Sequence, residues 1–117
     1  MKTVLIVDDS AVMRRMMRDV VTTNGYLVIG EAKNGKLGVE KFKELKPDIV
    51  TMDVTMDEMN GIDALRQIKK NDPMAKVVMV SSMGQSIIVK EALLLGARGF
   101  ILKPFDKQQI LDAFRRL

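Results

Sequence analysis

The chain has 117 residues, no cysteine and no histidine, and a formal charge of +4 from 19 basic and 15 acidic side chains. The length suits one domain, 1–117, with a buried core. The missing residue types exclude disulfides, thiolate or imidazole metal sites, Ser-His-Asp triads and any phosphohistidine carried by this chain.

Val4–Val7 is a short apolar run ending in two aspartates, and it reads as a strand buried on both faces. From Ser10 the period becomes helical. Val12, Met13, Met16, Met17, Val20 and Val21 form one stripe, which Asn24-Gly25 stops. Leu27–Ile29 is a second strand. Asn34-Gly35 opens a helix carrying Val39, Phe42 and Leu45, ended by Pro47. Asp48–Met52 is a third strand with Asp53 at its C-terminal end, and a polar, methionine-containing loop runs on to Gly61. Ile62, Leu65 and Ile68 mark a third helix that stops before Pro73. Lys76–Val80 is a β-branched strand. Ile87, Ile88, Ala92 and Leu95 mark a fourth helix, closed by Gly96. Phe100–Leu102 is a fifth strand, and Ile110, Leu111, Phe114 and Leu117 belong to a last helix. The chain ends inside or just after that helix, where a longer protein could have been cut.

Basic residues such as Arg14, Arg15, Lys69 and Lys70 stand at helix-surface spacing, and aromatics make up only 4% of the chain. Solvated helix faces are therefore expected, rather than a nucleic-acid interface. No apolar run approaches the length of a membrane span and nothing at the start reads as a signal peptide, so a cytoplasmic protein with no membrane partner is expected.

Five β–α units in series imply an α/β fold: a five-stranded parallel sheet with helices on both faces. Ligands of such sheets bind beyond the carboxyl ends of the strands. Asp8 and Asp9 follow strand one, Asp53 ends strand three, Ser81 ends strand four and Lys103 follows strand five. In the common strand order 2-1-3-4-5, strands one and three are neighbours, so three carboxylates converge. Three like charges repel unless something positive joins them. A hard divalent cation with oxygen ligands fits: magnesium, or manganese in its place. The set offers a carboxylate nucleophile, a cation to neutralise phosphoryl oxygens, a lysine and a hydroxyl, which is the equipment for an aspartyl phosphate. Taken singly, each motif reads as well as a turn or loop feature.

Val7-Asp8-Asp9-Ser10, Met52–Met56 with Met59-Asn60-Gly61, Val80-Ser81-Ser82 and Lys103-Pro104-Phe105 together resemble the response-regulator receiver family, over essentially the whole chain. The resemblance implies a flavodoxin-like, CheY-like fold. It implies Asp53 as phosphoacceptor. Asp9, Asp53 and the backbone carbonyl of Thr55 would bind magnesium directly, and Asp8 mainly through metal-bound water. It further implies Lys103 as the phosphate-contacting lysine, Ser81 as the hydroxyl switch and Phe100 as the aromatic switch, although Phe100 reads equally well as an ordinary core residue. Asp9–Arg14, Met56–Gly61 and Ser82–Gln85 are most similar to single-domain CheY-type chemotaxis regulators. The implied partners are a CheA-like sensor histidine kinase and a target such as a flagellar motor switch component, bound on the surface of helix four, strand five and helix five. No enzymatic activity is expected beyond self-catalysed phosphorylation and dephosphorylation.

Two residues depart from the family pattern. Asp57 stands where proline is usual, which adds negative charge and freedom to the loop, and Ser82 stands where alanine is common. Three other readings compete. The chain could be the receiver half of a DNA-binding transcriptional regulator, but it contains no helix-turn-helix. It could be a magnesium-dependent phosphatase with an aspartate nucleophile, but Thr55 occupies the place of that chemistry's second aspartate. It could be a flavodoxin-like nucleotide-binding protein, but it has no phosphate-cradling glycine loop.

Overall fold

A computed structural model describes residues 1–56, 58–82 and 84–117. Ten elements alternate along it: β1 (Thr3–Val7), α1 (Ala11–Thr23), β2 (Leu27–Ala32), α2 (Gly35–Leu45), β3 (Ile49–Asp53), α3 (Gly61–Asn71), β4 (Lys76–Ser81), α4 (Ser86–Leu94), β5 (Gly99–Leu102) and α5 (Lys107–Arg115). The strands form one sheet in the order β2-β1-β3-β4-β5, and every pairing is parallel. The expected fold class and strand order are those observed.

The apolar strand sequences work because successive side chains leave opposite faces of the sheet. Leu5, Val7, Val50, Met52, Val77 and Met79 pack with Val39, Phe42, Leu65, Ile68 and Ala92, so α2, α3 and α4 cover one face. Val4, Ile6, Ile49, Val78, Val80 and Ile101 pack with Met17, Val21, Ile110 and Phe114, so α1 and α5 cover the other. Tyr26 closes the second core, its ring edge-on to Phe114 at 5.0 Å between centroids. The two edge strands are the least buried: β2 has only Ala32 fully inside and β5 only Ile101.

Four helices begin on the side-chain caps that the sequence offers. Ser10, Asn34 and Asn60 each accept the backbone N–H three residues on. Asp106 and Gln109 cap α5 reciprocally. In contrast, Gln85 at the start of α4 makes no side-chain cap bond. Lys46 closes α2 in the left-handed region at φ 48°, directly before Pro47. Gly96, at φ 100°, ends the α4 segment as expected.

Two expected apolar stripes are narrower than the sequence suggests. On α1, Met17 and Val21 are buried, but Val12 is 67% and Met16 43% exposed. On α4, Ala92 is buried while Ile87 is 73% exposed. A helix lying on a sheet presents only its inward arc, and both helices carry more apolar residues than that arc holds. No described helix is long and apolar enough to cross a membrane.

Candidate functional site

The strand register assembles the site. Val7 pairs with Met52, so Asp8 leaves β1 beside the end of β3, where Asp53 stands. Asp53 pairs with Val80 and Ser81 with Leu102, which places the ends of β4 and β5 next in line. Asp8, Asp9 and Asp53 each bring one carboxylate oxygen to within 4.8 Å of the others. Asp8, Asp53 and Ser81 are buried, whereas Asp9 and Thr55 are exposed. The sequence-derived cluster is thus one site in space.

Lys103 reaches into it from the β5–α5 connection. Its Nζ donates to Asp8 Oδ2 at 2.8 Å and lies 3.4 Å from Asp53 Oδ1. The Lys103 amide donates to the Ser81 carbonyl at 2.8 Å, so the ladder between β4 and β5 extends to the residue that carries the charge. The Lys103–Pro104 peptide is cis.

The electrostatics are unbalanced in a way that suits a cation. Burial, followed by the Asp8 charge, pushes the Asp53 carboxyl up to about 6, against the pull of Lys103. Burial alone would lower the Lys103 ammonium, but its bond to Asp8 and the charges of Asp53 and Asp8 outweigh burial and raise it. One lysine against three acids leaves net negative charge at a site where Asp8 and Asp53 are buried. A hard divalent cation with oxygen ligands matches that donor set, and Asp8, Asp9 and Asp53 are the residues that could hold it.

The loop after β3 is pinned by backbone. The Gly61 amide donates to the Val54 carbonyl at 2.7 Å, and a side chain at Gly61 would collide with the Asp53 carbonyl. Glu58 and Met59 both have positive φ, at 53° and 79°, and their carbonyls accept from the Lys36 and Gly35 amides of α2 at 3.0 and 3.2 Å. Asp57, the departure from proline, lies outside the described residues. Ser82, the second departure, is exposed beside the site. Phe100 is half-buried, pairs with Met79 across β4 and β5, and packs against the core beneath α2, α3 and α4.

One neighbour of the site is not visible as such in the sequence. Arg14, which helical spacing assigns to the solvated face of α1, donates from Nη1 to the Asp8 carbonyl at 2.7 Å and from Nε to Glu31 Oε1 at 3.1 Å. The signal was a basic residue one helical turn beyond Ser10, the N-cap of the same helix.

Comparison with known proteins agrees with this geometry. The family described as response regulator receiver domain matches residues 4–115. The chain is 56% identical over 116 residues to chemotaxis protein CheY of Thermotoga maritima, covering 99% of this chain and 97% of that protein. It is 50% identical over 113 residues to chemotaxis protein CheY of Bacillus subtilis, covering 97% and 94%. Among solved structures, it superposes with a TM-score of 0.95 on a chain of the CheX-CheY-BeF3-Mg+2 complex from Borrelia burgdorferi, at 38% identity, covering 97% of this chain and 86% of that one.

Proposed function

The chain belongs to the response regulator receiver domain family, and from that premise we propose that it is a two-component chemotaxis regulator, one receiver domain over 1–117, switched by phosphorylation of Asp53. The observation that carries the reading is the convergence of Asp8, Asp9 and Asp53 with Lys103 at the carboxyl edge of the sheet.

The chemistry follows from the residues. An ionised Asp53 oxygen attacks the phosphorus of a phosphohistidine on a sensor kinase. The P–N bond breaks, and the imidazole leaves with the electron pair and takes up a proton. Lys103, already poised between Asp8 and Asp53, pairs with a phosphoryl oxygen. Ser81, buried at the adjacent strand end, offers a hydroxyl to another. Asp8, Asp9, Asp53 and the Thr55 carbonyl would hold magnesium, or manganese in its place. When bound, that ion neutralises the charge on the transferring phosphoryl oxygens. The phosphorylated form would then remodel the surface of α4, β5 and α5, with Phe100 following Ser81, so that a motor-switch protein binds there.

The competing readings are not favoured. The CheY relatives of Thermotoga maritima and Bacillus subtilis are matched over 97% and 94% of their own length, so the likeness is to single-domain regulators. A phosphatase would need an acid at position 55, and the residue there is threonine. Incubation with acetyl phosphate and magnesium should add one phosphoryl group by intact mass, and Asp53→Asn should abolish it. Stoichiometric labelling of the Asn variant would overturn the assignment.

A further inference from the structure

Asp8 is held at every polar atom. Its amide donates to the Ala32 carbonyl at 3.0 Å, its Oδ1 accepts from the Ser10 amide at 2.9 Å, and its Oδ2 accepts from Lys103 at 2.8 Å. The remaining atom, its carbonyl oxygen, accepts from Arg14 Nη1 at 2.7 Å. The Asp8 carbonyl and the Asp9 amide share one rigid peptide plane. Whatever fixes that carbonyl therefore fixes the direction in which Asp9 leaves the strand end. Asp9 is the exposed member of the acid cluster, so it gains most from being aimed by its backbone.

Arg14 is itself fixed. Glu31, on β2, accepts from Arg14 Nε at Oε1 and from Arg18 Nε at Oε2, at 3.1 and 2.7 Å. Lys41, on α2, holds the Glu31 carbonyl at 2.5 Å. A guanidinium presents donors in a planar fork. With one arm of the fork on Glu31, the other is aimed at the Asp8 carbonyl. Arg18 shares the same carboxylate but, among the described residues, makes no bond to Asp8, which provides a control within one salt-bridge cluster.

We propose that Arg14 is a positioning residue for the divalent cation, setting the Asp8–Asp9 peptide so that the Asp9 carboxylate meets those of Asp8 and Asp53, with Glu31 as its brace. The inference rests on the reading of Asp8, Asp9 and Asp53 as a magnesium site. Residues that orient a ligand from behind commonly change metal affinity by about ten- to a hundredfold. Because Arg14 acts on the peptide rather than on the carboxylate, the lower end applies.

The test is a magnesium titration of the unphosphorylated full chain, read by NMR at the amides of Asp8, Asp9 and Ser10. Arg14→Gln should raise the Kd about tenfold, whereas Arg18→Gln should leave it within about twofold while losing a comparable surface ion pair. If Arg14→Gln does not fold, Arg14→Lys takes its place. An ammonium lacks the planar fork that joins Glu31 Oε1 to the Asp8 carbonyl, so the Kd should still rise by about threefold or more. An unchanged Kd in whichever Arg14 variant folds, or an equal loss in Arg18→Gln, overturns the inference and leaves the metal reading standing. A parent protein whose amides ignore magnesium overturns the metal reading itself.

Discussion

Lys103 sits closer to Asp8 than to Asp53, at 2.8 Å against 3.4 Å. The residue expected to accept the phosphoryl group is thus the less well compensated of the two buried acids, which agrees with its carboxyl being pushed up to about 6 by burial and by the Asp8 charge. A carboxylate raised in the folded state binds more protons there than in the unfolded chain, whose value is near 3.8. Its contribution to stability therefore falls as pH rises through the window from about 4 to about 6.

Asp53→Asn removes both the buried charge and that titration. The variant should melt above the parent at pH 8, with the gap closing near pH 4, where the parent carboxyl is protonated too. Calorimetric scans without divalent ions across this range check it. A gap that is constant with pH would mean that Asp53 does not titrate as the site geometry requires.

Magnesium should act on the same imbalance. A ligand that binds only the folded state stabilises by mass action, by about 2.7 kcal/mol at one hundred times its Kd, or on the order of 10 °C for a domain of this size. Asp9→Ala should remove most of that gain while leaving the apo midpoint equal or slightly higher, because one repelling charge is gone. Below pH 6 the gain should shrink in the parent as Asp53 takes up a proton. A thermal midpoint in the parent that is insensitive to millimolar magnesium would contradict the site.

The strands and the acids at their ends were legible in the sequence because both depend on short-range patterns, apolar runs of strand length and acids placed where those runs end, whereas the strand order that joins the acids came from the common arrangement of such folds. Asp53 could be located because the apolar run within Asp48–Met52 stops at it. The widths of the helical faces were not legible. Val12, Met16 and Ile87 have helical spacing but fall outside the arc that touches the sheet, and that arc depends on how each helix lies across it. Nor could the sequence reveal that Arg14 bonds the Asp8 carbonyl, because the bond depends on Glu31 of β2 turning the guanidinium. Such a contact is set by tertiary geometry and has no periodicity.

Gly61 is read in the sequence as the end of a loop, and the structure gives it a stricter task. Its amide holds the Val54 carbonyl, and there is no room for a methyl group against the Asp53 carbonyl. Gly61→Ala should cost about 1–3 kcal/mol in urea unfolding and should also slow phosphorylation by acetyl phosphate, since the backbone at Asp53 must shift. A variant of parental stability and rate would show that the loop relaxes freely.

The switch depends on whether an event at Asp53 is felt at α4 and β5. Ser81 is almost fully buried at the end of β4, next to the strand that carries Asp53. A phosphoryl oxygen there gives the Ser81 hydroxyl an acceptor for a charge-assisted bond, which would draw the end of β4 inward. The next elements along are less buried. α4 starts at Gln85 without a side-chain cap bond and exposes Ile87, Leu93 and Leu94, while Phe100 on β5 is only half-buried. Phe100 carries no hydroxyl, so its response can come only from packing into space opened beside it. A ligand shifts a two-state equilibrium only through its differential interaction with the two states, and in the proposed mechanism Ser81 would supply that difference. Ser81→Ala should therefore still take up beryllofluoride with magnesium, shown by shifts at the amides of Asp53 and Lys103. The shifts in α4 and β5 should shrink to about half or less, since a charge-assisted bond of about 1.5–3 kcal/mol is gone. Full parental shifts in α4 and β5 of the Ala variant would rule out the hydroxyl as the trigger.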